Sequence, residues 1–399
     1  MKKALLLFFI GSLFLQSGIN AQDNAAPSFN FKNGLGIASP DSAFTMNIRF
    51  RIQNRAAFTV AQEDEDTWDV SAVDARVRRM RLRFEGQVYD PRLTYLIQLS
   101  FSRGDMDWDN SGVPNVLRDA MVFYKVSNKL NIALGQGKLP GNRQRVVSSG
   151  DQQFADRSIV NAALNIDRDF GFQFNYTEKT GDVYYILRGA VSSGEGRNSA
   201  GSDKGLCYTG RLELLPFGLF DRRGDYFEGD LAREKKPKLS LAGGLSFNDR
   251  SVRTGGQLGR DLYSPVDIQT AIFDGLFKYQ GIALYGEYMQ RETPEFSPVT
   301  ENSSGAKRYV FAGEGMLAQA SYLFKSNYEI AARYALTHPA ASIQSLEPER
   351  TNYTLGVTKY LKAHRVKLQS DVTYEETLNL SNDTEGKNWQ FRFQVELGI

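Results

Sequence analysis

The stretch "DARVRRMRLRFEGQVY", residues 74–89, settles into strict alternation in its second half. Met80, Leu82, Phe84 and Val88 share one face, and Arg79, Arg81, Arg83, Glu85 and Gln87 share the other. Successive side chains of a strand point to opposite sides, so this period of two describes a strand with one apolar and one arginine-bearing face. The segment before it reads the same way. In "FTMNIRFRIQNRAAF", residues 44–58, Phe44, Met46, Ile48, Phe50 and Ile52 oppose Thr45, Asn47, Arg49, Arg51, Gln53 and Arg55.

Alternation then recurs to the end of the chain, with no long 3.6-residue period to compete with it. Sixteen segments are expected: 44–58, 76–89, 92–103, 117–126, 129–138, 168–178, 182–192, 205–215, 237–248, 266–279, 281–291, 314–325, 327–337, 351–361, 364–376 and 387–398. Each is close to the ~9–11 residues that a tilted strand needs to cross a bilayer. Connections such as "YDPR", "EKTG" and "KSN" carry the Gly, Pro, Asn and Asp of tight turns. Between them fall longer ones, near 59–75, 104–116, 139–167, 193–204, 249–265, 292–313, 338–350 and 377–386.

An even number of antiparallel strands with short and long connections in alternation predicts an all-β transmembrane barrel, with short periplasmic turns and long extracellular loops. A water-soluble sandwich has shorter strands and gives no reason for alternating loop lengths. Outward positions carry Tyr89, Tyr95, Phe101, Tyr124, Tyr322, Tyr334, Tyr374 and Trp389, and aromatic rings favour the membrane–water boundary. Residues 216–237 break the pattern by being long where a short turn belongs.

The chain begins "MKKALLLFFIGSLFLQSGINAQ": two lysines, a short apolar run, then small residues. This reads as an export signal, residues 1–21, cleaved after Ala21. Residues 22–43 would be a short periplasmic segment, and 44–399 the barrel. No later stretch approaches the length of an apolar membrane helix. The one cysteine, Cys207, has no disulfide or thiolate partner, and His338 and His364 are the two histidines. The formal net charge is +2, so electrostatic function must come from where charges sit.

Several function classes fall away. The arginine run follows an export signal and alternates with apolar residues, which argues against nucleic acid. A hydrolase needs a nucleophile with a histidine base beside it. His338 is expected in a loop and His364 at a turn, at opposite ends of the barrel. The acidic run "AQEDEDTWD" lacks the glycine and spacing of a calcium loop, so no metal and no cofactor is expected.

The chain resembles the phosphate-selective porin O and P family. The likeness rests on "LNIALGQGKLPGN", "NIDRDFGFQFNY", "YTGRLELLPFGLFDRRGDYFEGD", "LFKYQGIALYGEYMQRE" and "YEIAARYA", in that order and spacing. The resemblance implies a sixteen-stranded outer-membrane channel, a homotrimer, with a long loop folded into the pore and basic residues guiding anions. Outer-membrane lipid and inorganic phosphate or other small anions are the partners it implies, and it implies no enzyme activity.

In a closed barrel the last strand neighbours the first, so Arg392, Arg49, Arg51, Arg55, Arg79, Arg81 and Arg83 would share one lumen wall. Side chains two residues apart on a strand are ~6.5–7 Å apart, which makes a ladder whose field a low-dielectric wall focuses into the pore. Arginine also grips oxyanions bidentately without losing its charge. Glu213, Glu287, Glu329, Asp371 and Glu396 face inward too, mostly on other strands, which predicts a transverse field. Loop 139–167 carries Arg143, Arg145 and Arg157, with Arg168 at its end. By the resemblance these are candidates for the constriction. The expected function is an anion-preferring porin, with a weakly selective general diffusion porin for small hydrophilic solutes as the alternative.

Overall fold

The computed structural model describes residues 27–31, 34–64, 66–102, 115–199 and 204–399. The export signal lies outside the described residues. Strands β1 (Ser28–Asn30) and β2 (Leu35–Ala38) precede β3 (Phe44–Gln62), β4 (Trp68–Val88), β5 (Asp90–Ser100), β6 (Leu117–Lys125), β7 (Leu130–Lys138), β8 (Arg168–Thr180), β9 (Val183–Ser192) and β10 (Cys207–Leu215). Then follow β11 (Lys238–Arg253), β12 (Asp261–Tyr279), β13 (Ile282–Glu292), β14 (Val299–Glu301), β15 (Lys307–Tyr309), β16 (Gly313–Leu323), β17 (Tyr328–Pro339), β18 (Glu349–Lys362), β19 (Val366–Asn379) and β20 (Thr384–Gly398).

All but β1, β2 and the β14–β15 hairpin form one closed antiparallel barrel of sixteen strands. Closure is made by β20 on β3, from Asn388 opposite Ala61 to Gly398 opposite Arg51. Below that register the free flank of β3 is taken by β2, which pairs Leu35 with Ile48 and Ala38 with Thr45. Closing the sheet leaves no edge in the span, the condition for a β structure to sit in hydrocarbon. The outward side chains include Phe58, Leu134, Phe273, Leu355 and Phe393, all exposed on the isolated chain. So much exposed apolar surface is stable only when lipid covers it.

Three strand pairs run further than their alternation suggests. The long loops expected at 59–75, 249–265 and 377–386 are largely strand, since β3 reaches Gln62, β4 starts at Trp68, β11 reaches Arg253, and β19 and β20 approach to Asn379 and Thr384. Past the lipid the outward residues no longer need to be apolar, so pairing continues while the hydrophobic signal stops. His338 lies in β17 beside Glu349 of β18 and not in a loop. The unplaced stretch 216–237 holds no hairpin; it is an excursion with a short 3-10 turn at Asp221–Tyr226.

Much of the interior is occupied by protein. Segment 139–167, with short helices Arg143–Val146 and Ile159–Leu164, meets inner-face side chains on many strands. Leu139, Val160, Leu164 and Ile166 pack with Ile272, Leu276, Met289 and Leu317 of β12, β13 and β16. Two inward glycines make room for it. A Cβ on Gly315 would come within 2.9 Å of Val160 and Leu164, and one on Gly356 within 2.9 Å of Phe154. Polar pins complete the seat: Lys367 Nζ donates to Gly150 O (2.8 Å) and Gln152 O (2.6 Å), and Arg291 Nη2 to Leu164 O (2.8 Å).

Candidate functional site

The β3–β4 register sets Arg49 opposite Arg83, Arg51 opposite Arg81 and Gln53 opposite Arg79. Like charges directly opposite repel, and carboxylates and hydroxyls along the wall offset that repulsion. Glu85 takes both Arg49 and Arg83. Arg51 bonds Ser148 (3.1 Å) and Ser149 (2.8 Å) and lies 3.6 Å from Glu396. Arg81 Nη1 donates to Ser149 Oγ at 3.0 Å and Arg79 Nη1 to Gln53 Oε1 at 3.0 Å. Arg55 pairs with Asp156 and with Asp74 (2.9 Å), and Arg392 with Asp371.

Of the five inward acids, Glu213, Glu287 and Glu329 lie on β10, β13 and β17, away from this wall. Asp371 and Glu396 stand beside the arginines, because the register of β19, β20 and β3 brings them there. A β-bulge supplies a residue the alternation missed. Gln53 faces Arg79 but Asn54 faces Val77, so Arg78 is the extra residue. Its Nη2 donates to Asp156 Oδ1 at 3.0 Å, although strict alternation places it with Met80 on the lipid face.

Asp156 thus collects Arg55, Arg78 and, at 3.9 Å, Arg79. Burial works to raise its pKa, but Arg78, Arg79 and Arg55 hold the carboxyl well below the usual carboxylate range. Asp167 is depressed likewise: burial again opposes, and Arg145 and Arg168 outweigh it. A depressed folded pKa gives stability that is full above the unfolded value of ~3.9 and lost as pH falls through the folded one. Open-channel gating noise should therefore stay constant from pH 7 to about pH 4 and rise only below about pH 3. Noise that grows already at pH 5 would mean these two carboxylates do not hold the segment.

The remaining arginines divide. Arg143 is buried, with Nε on Asp274 (2.6 Å), Nη2 on Ser240 (2.8 Å) and Nη1 on Asp225 O (3.0 Å). It anchors the back of the segment and does not line open lumen. Arg145 is paired with Asp167 (2.5 Å), and Arg168 with Asp119 (2.7 Å). Arg157 differs: Nε donates to Gln144 O (2.7 Å) and Nη2 to Val147 O (2.8 Å). Lys138, at the end of β7, donates to Val146 O (2.7 Å) and to the same Val147 O (3.3 Å). Two cationic heads sharing one carbonyl oxygen lie side by side. Among the described residues neither makes an ion pair. Burial, then Arg145 and Arg81, push the Arg157 pKa well below its ordinary value, with Glu228 opposing them.

Lys138 was not legible as a site residue. It stands in "GQGKLPGN", where only the fold reveals that its amine and Arg157 meet.

Two basic cavities open in the barrel, neither of them lined by this pair. Toward the turns, one of about 210 Å³ is lined by Arg49, Arg51, Arg81, Arg83 and Arg365, with Ser148, Asp151 and Glu396. Toward the loops, one of about 610 Å³ is lined by Arg260, Lys307, Arg308 and Arg350, with Glu347 and Glu375.

A closed sixteen-stranded antiparallel barrel with a lipid-fitting exterior and a lumen of paired charges is the architecture of an outer-membrane porin. The sequence profile of the phosphate-selective porin O and P family matches residues 46–397, and the chain belongs to that family, whose members are channels of the bacterial outer membrane. Solved structures agree in fold. The anion-selective porin of Comamonas acidovorans is 14% identical with a TM-score of 0.53, covering 89% of this chain and 100% of its own. The outer-membrane channel DcaP of Acinetobacter baumannii is 11% identical, with a TM-score of 0.56 over 91% of this chain and 99% of its own. OmpF of Salmonella typhi is 14% identical, with a TM-score of 0.56 over 90% and 99%. No curated protein matches the chain.

Proposed function

We propose that the protein is a passive, anion-preferring porin for phosphate or a similar small oxyanion. The observation that carries this is the pair Lys138 and Arg157, side by side on Val147 O with no ion pair to either among the described residues, in a barrel that holds one basic cavity toward the turns and another toward the loops. Segment 139–167 is the constriction in this reading. An oxyanion enters from the loop-side cavity, which is extracellular, meets the pair, and leaves along Arg81, Arg51, Arg49 and Arg83 toward the periplasm. Passage needs binding strong enough to draw the ion in and weak enough to release it. The carboxylates Glu85, Asp156 and Asp371 serve the second requirement by holding down the field of the wall. No covalent step or cofactor is involved. Export by a cleaved signal of residues 1–21 and assembly as a homotrimer belong to the same proposal.

The second reading, a general diffusion porin of weak selectivity, draws on those same compensating carboxylates. The deciding measurement is the reversal potential of the purified protein in a planar bilayer under a KCl gradient. A value near the chloride limit, with current reduced by added phosphate, is expected; a value near zero selects the second reading. Replacing Arg79, Arg81 and Arg83 together by glutamine should move the potential toward zero while the barrel still folds, since Glu85 keeps Arg49 as its partner. An unchanged potential in that variant removes the ladder from the mechanism.

A further inference from the structure

Leu214 of β10 faces Leu241 of β11, a register that a tight turn could close, yet residues 216–237 intervene. The outer part of this excursion is tied to neighbouring turns. Arg233 donates to Leu323 O (2.8 Å) and Phe324 O (2.5 Å), and Asp230 accepts from Gly281 N (2.7 Å) and Glu234 N (3.1 Å). The inner part, 224–229, is held by a lysine on the inner face of β12. Lys278 Nζ donates to the carbonyls of Gly224 (2.6 Å), Phe227 (2.7 Å) and Gly229, and stands 4.4 Å from the centre of the Phe227 ring. Lys278 is fully buried. An ammonium out of water costs several kcal/mol unless its three N–H groups are met, and here this excursion alone meets all three.

The inner part then abuts segment 139–167. Glu228 N donates to Asp151 O at 2.8 Å, Gln153 N to Glu228 Oε2 at 2.9 Å, and Arg143 Nη1 to Asp225 O at 3.0 Å. The cavity left between the two segments, bounded by Arg143, Gln153, Phe227, Ala283 and Gln319, is about 20 Å³. That is room for one water and for no solute.

We infer that residues 216–237 are a second lumen-filling element that, locked to segment 139–167, closes the turn-side part of the barrel along β10–β18 and confines the exit of permeating ions to the side formed by β3–β8 and β20. The inference rests on the reading of 139–167 as the constriction. It assigns Lys278 and Glu228 as positioning residues for the pore: neither touches the solute path, and both set where its wall stands.

Cysteine accessibility in the full-length, membrane-assembled protein tests it. Ala283→Cys places a thiol at the closed contact, and Gln98→Cys places one in the arginine-lined cavity. The native Cys207 is buried and gives no background. A charged thiosulfonate reagent should modify Gln98→Cys at least about 100-fold faster than Ala283→Cys, because thiol reactivity follows access. Replacing residues 216–237 by Asn-Gly in the Ala283→Cys protein should abolish that difference and raise single-channel conductance. Comparable labelling rates in the two full-length variants would overturn the inference, and this arm stands even where the shortened protein does not assemble. A wild-type reversal potential near zero, with Ala283→Cys still inert, would instead count against anion preference and leave the second element in place.

Discussion

Replacing Lys138 and Arg157 together by glutamate is expected to turn an anion-preferring channel into a cation-preferring one, read as a change of sign of the reversal potential in a KCl gradient. The two heads share Val147 O, so one permeating ion feels both. A unit charge ~6 Å away acts on an ion with roughly 0.7 kcal/mol at the dielectric of water and about 3 kcal/mol at an effective value of 20. Each charge therefore changes local ion occupancy by somewhere between threefold and about a hundredfold. Reversing both removes the attraction and replaces it with repulsion. The double glutamine variant should lie between, near zero potential, which separates charge from any shift of the segment after its carbonyl contacts are lost. A glutamate variant with the potential of the unmodified channel would show that the ion path runs elsewhere.

Asp156→Asn should have the next largest effect. One carboxylate there serves Arg55 and Arg78 directly and Arg79 at 3.9 Å. Asparagine keeps the shape but leaves three guanidiniums facing one another, with Asp74 still on Arg55. Breaking a buried ion pair costs about 3–5 kcal/mol. The Asp156 side chain is 23% exposed, and solvent screening lowers the expectation to about 1–3 kcal/mol. That is enough to unseat residues near 156 and too little to unfold a sixteen-stranded barrel. The expected signature is noisier, larger single-channel current with stronger anion preference, while heat-modifiable migration of the folded protein stays as it was. Unchanged current and selectivity would mean that the arginines, rather than this aspartate, place the segment.

The barrel was readable without coordinates because its signal is local. Pleating forces a period of two, lipid demands apolar residues on one face, and a sixteen-fold recurrence of that pattern leaves one architecture. The alternation also assigned faces correctly for Arg49, Arg51, Arg79, Arg81, Arg83 and Arg392. It failed wherever that coupling between face and solvent is cut. Beyond the hydrocarbon, β3 and β4 pair onward through "AQEDEDTWD" flanks without apolar alternation. At Arg78 an inserted residue shifts the phase, and nothing in "RVRRMR" tells which arginine is the extra one.

Strand number and facing were thus determined by the sequence alone, since each depends on residues within a few positions of one another. Only the tertiary structure decided which charges remain. Asp156 and Asp371 reach Arg55 and Arg392, and Lys138 meets Arg157, across contacts set by barrel closure and by a segment folded into the lumen. Coulomb energies depend on those distances through space, and spacing along a chain does not contain them.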